Sequence, residues 1–162
     1  MTAIIVYSIG KKMKFVSKII AQKSNSELIE VKDLNKNDEG IIDSIKKTFT
    51  GYDTKIEIEP PYIDFSDYDL ILIGSPSNSG KISPAISTII DNCDFKNKNI
   101  IIYTTSTSRH GYDVLNRMKK KIEEKNAYIL NSFIIKIGNK SDDELKINTL
   151  KVLKELDLDL YT

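Results

Sequence analysis

One stretch near the start of the chain has residues suited to binding a phosphate group. It connects a predicted strand to a predicted helix and reads Ser8-Ile9-Gly10-Lys11-Lys12-Met13. Free backbone N–H groups and the helix dipole attract anions at such a point. Ser8 would add a hydroxyl donor, Gly10 would let the backbone approach closely, and Lys11 or Lys12 would add positive charge. An ordinary turn with solvated lysines fits the same residues, so both interpretations stay open.

A second stretch, residues 74–82, contains two glycines and several small polar side chains. Its Gly80-Lys81 pair resembles the end of a Walker A nucleotide loop. One residue too many separates Gly74 from Gly80, however, and Ile82 stands where a hydroxyl should reach magnesium. A flat ring lying against the backbone is the better functional interpretation, and a plain turn is the alternative. The residues predicted to contact the ring are Pro76, Ser77, Asn78, Ser79 and Gly80.

A third stretch, residues 104–112, is dense in hydroxyl groups and holds the single histidine, His110. Hydroxyls and backbone amides here could bond the polar edge of a heterocycle, a positive side chain could stabilise negative charge, and Tyr112 could offer a stacking face. A lone histidine is more often a surface residue than a catalyst, so a catalytic role for His110 is the weaker interpretation. The predicted contacts are Thr104, Thr105, Ser106, Thr107, Ser108, Arg109 and Tyr112.

Buried strands alternate with amphipathic helices along the chain, and this order would bring the three stretches together. Apolar, mostly β-branched runs predict strands at 4–7, 28–31, 70–73, 100–103 and 128–137. Helical spacing of apolar residues predicts helices around 16–20, 41–49, 82–90, 114–122 and 145–156, the last beginning with a capping box at Ser141 and Glu144. The alternation predicts a parallel sheet with helices on both faces and a ligand site at the carboxyl ends of the strands.

Composition restricts the classes of function. The 162 residues suit one domain spanning 1–162, and 24 Lys plus Arg nearly cancel 23 Asp plus Glu, so no overall charge favours nucleic acid or an anionic membrane. The single cysteine, Cys93, cannot form an internal disulfide, and with one histidine it makes no metal-binding cluster. The apolar start of the chain is too short for a signal peptide or membrane span. We expect a soluble, cytoplasmic protein in which Cys93 is a buried structural thiol.

The chain resembles the flavodoxin family, especially its short members, over nearly the full length. The resemblance is carried by Ile4-Ile5-Val6-Tyr7-Ser8, by residues 40–49, and most specifically by Asp67-Tyr68-Asp69-Leu70-Ile71-Leu72-Ile73-Gly74-Ser75-Pro76 and Gly80-Lys81-Ile82-Ser83-Pro84-Ala85-Ile86. It implies a flavodoxin-like, doubly wound, five-stranded parallel sheet of order 2-1-3-4-5 with helices on both faces. It also implies non-covalent FMN and electron transfer.

The sequence also departs from the family pattern at the expected phosphate site. The family reads hydroxyl-x-Thr-Gly-x-Thr there, and only the first hydroxyl, Ser8, is kept in residues 8–13. Lys11 replaces the family glycine and would tolerate a left-handed backbone poorly, and Met13 replaces the last threonine. Ser77-Asn78-Ser79 stands where the family often has an aromatic residue. These departures keep a second hypothesis open, a binding or regulatory module on the same fold that holds no flavin.

The leading hypothesis is an FMN flavoprotein that transfers electrons to a redox partner protein or reduces a small-molecule acceptor. It predicts no nucleic-acid or membrane partner and leaves the oligomeric state open, a homodimer included. A phosphoacceptor receiver domain would share the sheet order, but it needs acidic residues after the first strand and an aspartate after the third. Tyr7-Ser8 and Gly74-Ser75-Pro76 supply neither.

Overall fold

The computed structural model describes residues 1–7, 10–35 and 55–162. The helix predicted at 41–49 and the predicted site residue Ser8 lie outside these ranges. The described strands are β1 (Thr2–Val6), β2 (Glu27–Glu30), β3 (Lys32–Asp33), β4 (Ile58–Glu59), β5 (Leu70–Pro76), β6 (Asn99–Ser106) and β7 (Tyr128–Lys136). The described helices are α1 (Lys11–Lys23), α2 (Pro84–Asn92), α3 (Gly111–Glu123) and α4 (Asp142–Glu155), with a short 3-10 helix at Leu158–Leu160.

Within the described ranges, five strands pair in parallel in the order β2-β1-β5-β6-β7. When the five predicted strands alone are numbered, this order is 2-1-3-4-5, so the flavodoxin-like α/β fold is confirmed. The antiparallel pair β3–β4 was not predicted. Two-residue strands are too short to show a periodicity in sequence.

The helix boundaries follow from local chemistry. Ser83 precedes α2 and its hydroxyl accepts a hydrogen bond from the Ile86 N–H, while Pro84 occupies the first turn, where no N–H is needed. At the start of α4, Ser141 and Glu144 form the predicted capping box, each side chain bonding the other's backbone N–H. None of the helices described is long and apolar enough to cross a bilayer.

Alternating strand residues supply two separate cores. Ile4 and Leu72 face the side covered by α1 and α4, whereas Ile5 and Ile73 face the side covered by α2 and α3. All four side chains are 0% exposed. Both faces of β1 and β5 are therefore buried, which explains why these strands appear in the sequence as continuous apolar runs.

The adjacent strands β5 and β6 contribute Gly74 and Tyr103 to the face of the sheet that α1 covers. A Cβ atom at Gly74 would lie 2.3 Å from Cζ of Tyr103, so only glycine leaves room for this ring. The ring stacks on Phe133, with centroids 5.3 Å apart and planes 7° apart. Because the Ser17 hydroxyl donates to the Met13 carbonyl at 2.8 Å, the Tyr103 hydroxyl must donate to Ser17 Oγ, also at 2.8 Å. Burial raises the pKa of Tyr103, which keeps this donor protonated.

We expect Gly74→Ala to lower the free energy of unfolding by about 2 kcal/mol, because the added methyl group forces the buried Tyr103 ring to move. Gly138→Ala is the matched control, since a Cβ there meets no atom within 4 Å. It should change the free energy of unfolding by less than about 1 kcal/mol. Urea denaturation of both variants measures the difference, and equal stabilities would contradict the close approach.

Candidate functional site

Three of the predicted loops leave the sheet at the same edge. β1, β5 and β6 are neighbours, and their parallel registers align Val6 with Gly74 and Gly74 with Tyr103. The chain therefore leaves these strands at one carboxyl edge, where doubly wound sheets bind ligands. The structure brings together the three stretches that the sequence analysis selected, except that Ser8 and Ile9 lie outside the described residues.

The positive-φ residue before the first helix lies one position earlier than the family alignment implied. Gly10 precedes α1 with φ 82° and ψ 164°, and Lys11 is the first helical residue. The expectation that Lys11 would stand in the left-handed position is therefore wrong. A Cβ at Gly10 would meet no atom within 4 Å, so the backbone conformation, rather than lack of space, favours glycine there.

The two adjacent lysines have different surroundings. The Lys12 ammonium donates to the carbonyl oxygens of Gly138, at 2.6 Å, and Ile137, at 3.3 Å. It thereby ties the first turn of α1 to the segment between β7 and α4. Lys11 is exposed, and its side chain makes no hydrogen bond or ion pair to another described residue. Of the two lysines predicted to bind phosphate, Lys12 is therefore the one whose ammonium group is engaged by described partners.

Met13, which stands where the family has a threonine, is directed into the protein. It is only 2% exposed, and its sulfur accepts a hydrogen bond from Thr105 Oγ1 at 3.2 Å. Another neutral side chain near this edge is Tyr7, directly after β1, whose pKa is raised to about 12 by burial and by the negative charge of Asp33. Neither side chain adds positive charge at the N-terminus of α1.

The second loop contains a tight turn at residues 78–81. The Lys81 N–H donates to the Asn78 carbonyl at 3.0 Å, and both central residues have positive φ, 51° at Ser79 and 80° at Gly80, as in a type I′ turn. At the base of the loop, the Ser77 N–H donates to the Thr105 carbonyl at 3.1 Å. Asn78 and Ser79 are exposed at the tip, so this 78–81 turn offers backbone and small polar side chains to the edge of the sheet.

The strands continue further into the predicted loops than the sequence indicated. Pro76 is the last residue of β5, and Thr104, Thr105 and Ser106 belong to β6 and are buried. The prediction ended each strand at its last strongly apolar residue, but β-branched threonine also favours strands and here pairs with β7. The part of the third stretch exposed to solvent is Thr107, Ser108 and Arg109, which with His110 we name the 107–110 loop. Tyr112, in the first turn of α3, is 70% exposed.

The side chains of His110 and Asp113 lie within hydrogen-bonding distance of each other at the start of α3. His110 Nδ1 lies 3.2 Å from Asp113 Oδ2, and both side chains are about half exposed. The His110 N–H donates to Ser108 Oγ at 3.3 Å, while the Ser106 hydroxyl donates to the Ser108 carbonyl at 2.8 Å. The 107–110 loop is thus held largely by its own hydrogen bonds. His110 is the residue for which sequence reasoning gave no partner, because the i,i+3 spacing to Asp113 becomes meaningful only once the helix start is known.

Groups away from this edge have other roles. Cys93 is buried, as expected, and burial raises the pKa of its thiol, whose sulfur accepts the Ile63 N–H. No cluster of metal-ligating residues occurs in the part of the chain that the structure describes.

An open cavity of about 540 Å³ lies at the amino edge of the sheet, lined by residues that include Thr2, Glu27 and Tyr68. It is separated from the candidate site by the length of the strands.

We expect Lys12→Met to lower the free energy of unfolding by about 1 kcal/mol, because it removes charge-assisted hydrogen bonds that are only partly shielded from water. Lys11→Met, at the exposed neighbouring position, is the control and should leave stability almost unchanged. Thermal or chemical denaturation of the two proteins makes the comparison. Equal losses would show that the Lys12 contacts do not stabilise the fold.

Comparison with known proteins adds structural relatives. No protein-family model matches the sequence, and no curated protein has significant sequence similarity to it. A flavoprotein from Lactobacillus acidophilus, solved in complex with FMN, is 25% identical with a TM-score of 0.61, over 82% of this chain and 91% of that one. General stress protein 14 from Treponema denticola, also in complex with FMN, is 13% identical with a TM-score of 0.59, over 97% and 98% of the two chains. Oxidised flavodoxin 1 from Bacillus cereus is 13% identical with a TM-score of 0.56, over 93% and 92%.

Proposed function

We propose that this chain, which has the flavodoxin-like fold, binds FMN and serves in electron transfer or in the flavin-dependent reduction of a small acceptor. One observation carries the proposal. The N-terminus of α1, preceded by Gly10 and bearing the exposed Lys11, lies at the same edge as the 78–81 turn and the 107–110 loop. That edge combines donors for a phosphate with two loops for a flat polar ring.

Backbone donors and one lysine would hold the phosphate. α1 has 13 residues, no acidic residue in its first turn and no side-chain cap, so no carboxylate of that turn opposes an anion at its first N–H groups. A dianionic ester at such a terminus gains up to about 2 kcal/mol from the helix dipole when partly buried. The exposed Lys11 ammonium can move to the ester, whereas Lys12 remains with its two carbonyl partners.

The ring would lie against the two loops. The loop after β5 would offer the backbone and small side chains of Ser77, Asn78 and Ser79. The loop after β6 would offer the exposed donors of Thr107, Ser108 and Arg109. Thr104, Thr105 and Ser106 are buried, so we do not assign their side chains to ring binding. They lie in β6, beneath the 107–110 loop. When bound, FMN would supply the redox chemistry, while these residues bind, orient and partly shield it. Arg109 would place a positive charge near the ring.

The residues present fit FMN with fewer side-chain donors than the family pattern provides. Two threonine hydroxyls of that pattern are missing, and each would contribute about 1 to 3 kcal/mol toward a charged phosphate. Lys11 replaces part of that contribution. We therefore propose a flavin site that depends on backbone amides and on one lysine. A redox partner protein or a small-molecule acceptor, and a cytoplasmic location, are parts of the same proposal.

A second candidate function is a binding or regulatory module without flavin. Two observations favour it: Met13 is directed into the protein, and the Lys12 ammonium bonds the carbonyl oxygens of Ile137 and Gly138. Neither side chain is then available for the phosphate contact expected of it. The two candidates differ in a simple property, since only the first predicts a coloured protein or a saturable response to FMN.

We expect purified protein to bind FMN with one-to-one stoichiometry, seen as a visible absorption band or as an increase in Tm with added FMN. Lys11→Gln should weaken FMN binding about two- to fivefold, since an exposed charge contributes roughly 1 kcal/mol or less. Binding of riboflavin, which lacks the phosphate, should not change. Lys18→Gln, exposed on the same helix, is the control and should leave both affinities unaltered.

Two outcomes would contradict these expectations differently. A colourless protein with no change in Tm at excess FMN would reject flavin binding and favour the second candidate. Equal affinities for FMN and riboflavin, together with an FMN affinity that Lys11→Gln leaves unchanged, would support flavin binding but contradict a phosphate site at α1.

A further inference from the structure

The 78–81 turn contacts an acidic residue in the first turn of α3, Asp113. A Cβ built at Gly80 would lie 3.0 Å from Cβ and 3.2 Å from Oδ2 of Asp113. The Asp113 side chain therefore rests directly on the backbone of the turn. The contact joins the two loops that leave β5 and β6, well beyond the hydrogen bond between Ser77 and Thr105 at their base.

Two independent features favour glycine at this contact. Gly80 has φ 80°, a conformation that other residues adopt only with strain, and it is buried beneath the Asp113 side chain. A larger residue would both strain the turn and displace the carboxylate. The turn and the first turn of α3 are thus in direct packing contact.

Asp113 also holds the second loop. Its Oδ2 pairs with His110 Nδ1 at 3.2 Å, and His110 is the last residue of the 107–110 loop. One carboxylate consequently contacts the turn after β5 on one side and the loop after β6 on the other. Its position sets how the two loops stand relative to each other.

We propose that Asp113 is a positioning residue for the flavin ring, because it fixes the 78–81 turn relative to the 107–110 loop and so shapes the place where the ring lies. This inference rests on the proposed function. It assigns Asp113 no contact with the phosphate, which lies at α1. The consequence is specific, since loss of Asp113 should affect every ligand that carries the ring, with or without a phosphate.

The test compares flavin binding by Asp113→Ala, Asp113→Asn and Gly80→Ala with that of the wild type. Asp113→Ala should weaken FMN and riboflavin by the same factor, about fivefold, and should change the visible circular dichroism of the bound flavin. Asp113→Asn keeps the packing on Gly80 and should recover most of the affinity. Gly80→Ala should weaken binding less in the Asp113→Ala background than in the wild type, because the close contact with Asp113 Oδ2 is then absent and only that with Cβ remains.

Asp143→Ala is the matched control. Asp143 is an exposed acidic residue in the first turn of α4, at the same edge of the sheet, so it reproduces the loss of a helix-terminal carboxylate. It should lower stability by a similar amount without altering flavin affinity or circular dichroism. If Asp113→Ala fails to fold, the Asp113→Asn and Gly80→Ala comparison carries the same test.

The outcomes separate this inference from the proposed function. A wild-type protein that binds neither flavin contradicts the proposed function and with it this role of Asp113. A wild-type protein that binds both, with an Asp113→Ala variant of unchanged affinity and spectrum, contradicts the role of Asp113 alone. A loss for FMN but not for riboflavin would also overturn it, because the effect would then pass through the phosphate.

Discussion

The structure depends on the close approach between Tyr103 and Gly74 at the centre of the sheet. The absence of a side chain at Gly74 leaves room for the Tyr103 ring, which stacks on Phe133. The hydroxyl then reaches Ser17 and, through it, the Met13 carbonyl in α1. A buried hydroxyl without partners would be destabilising, so this chain of hydrogen bonds specifies one placement of the helix. The N-terminus of α1, and with it the candidate phosphate site, is positioned by the middle of the sheet.

Polar residues at the carboxyl edge divide into those that build the edge and those that remain for a ligand. Lys12 and Thr105 are engaged by carbonyl and sulfur acceptors, and Asp113 by Gly80 and His110. Lys11, Asn78 and Arg109 are exposed around them. The division has a physical basis, because an edge made of loop ends can bind a ligand specifically only if other groups hold those ends still. Some of the polar side chains that the sequence places at this edge therefore stabilise the loops and do not remain for a ligand.

Much of the fold could be predicted because burial on both faces leaves a strong signal. The apolar runs around Ile4, Leu72 and Ile101 correspond to the three central strands, and the sheet order followed from family resemblance. The β3–β4 pair and the ends of β5 and β6 were missed. Short strands have no measurable period, and the threonines that finish β6 are polar by composition although they are buried in the sheet.

The sequence by itself determined the alternation of strands and helices, the α4 capping box and the three stretches that meet at the carboxyl edge. Local spacing suffices for these, since each depends on residues within a few positions of one another. Only the tertiary structure decided which lysine is engaged, where the left-handed residue lies, and that Asp113 joins two loops. Lys12 meets Gly138 and Asp113 meets Gly80 across long separations in sequence. Contacts of that kind arise from the packing of helices on the sheet, which a pattern of residue types does not encode.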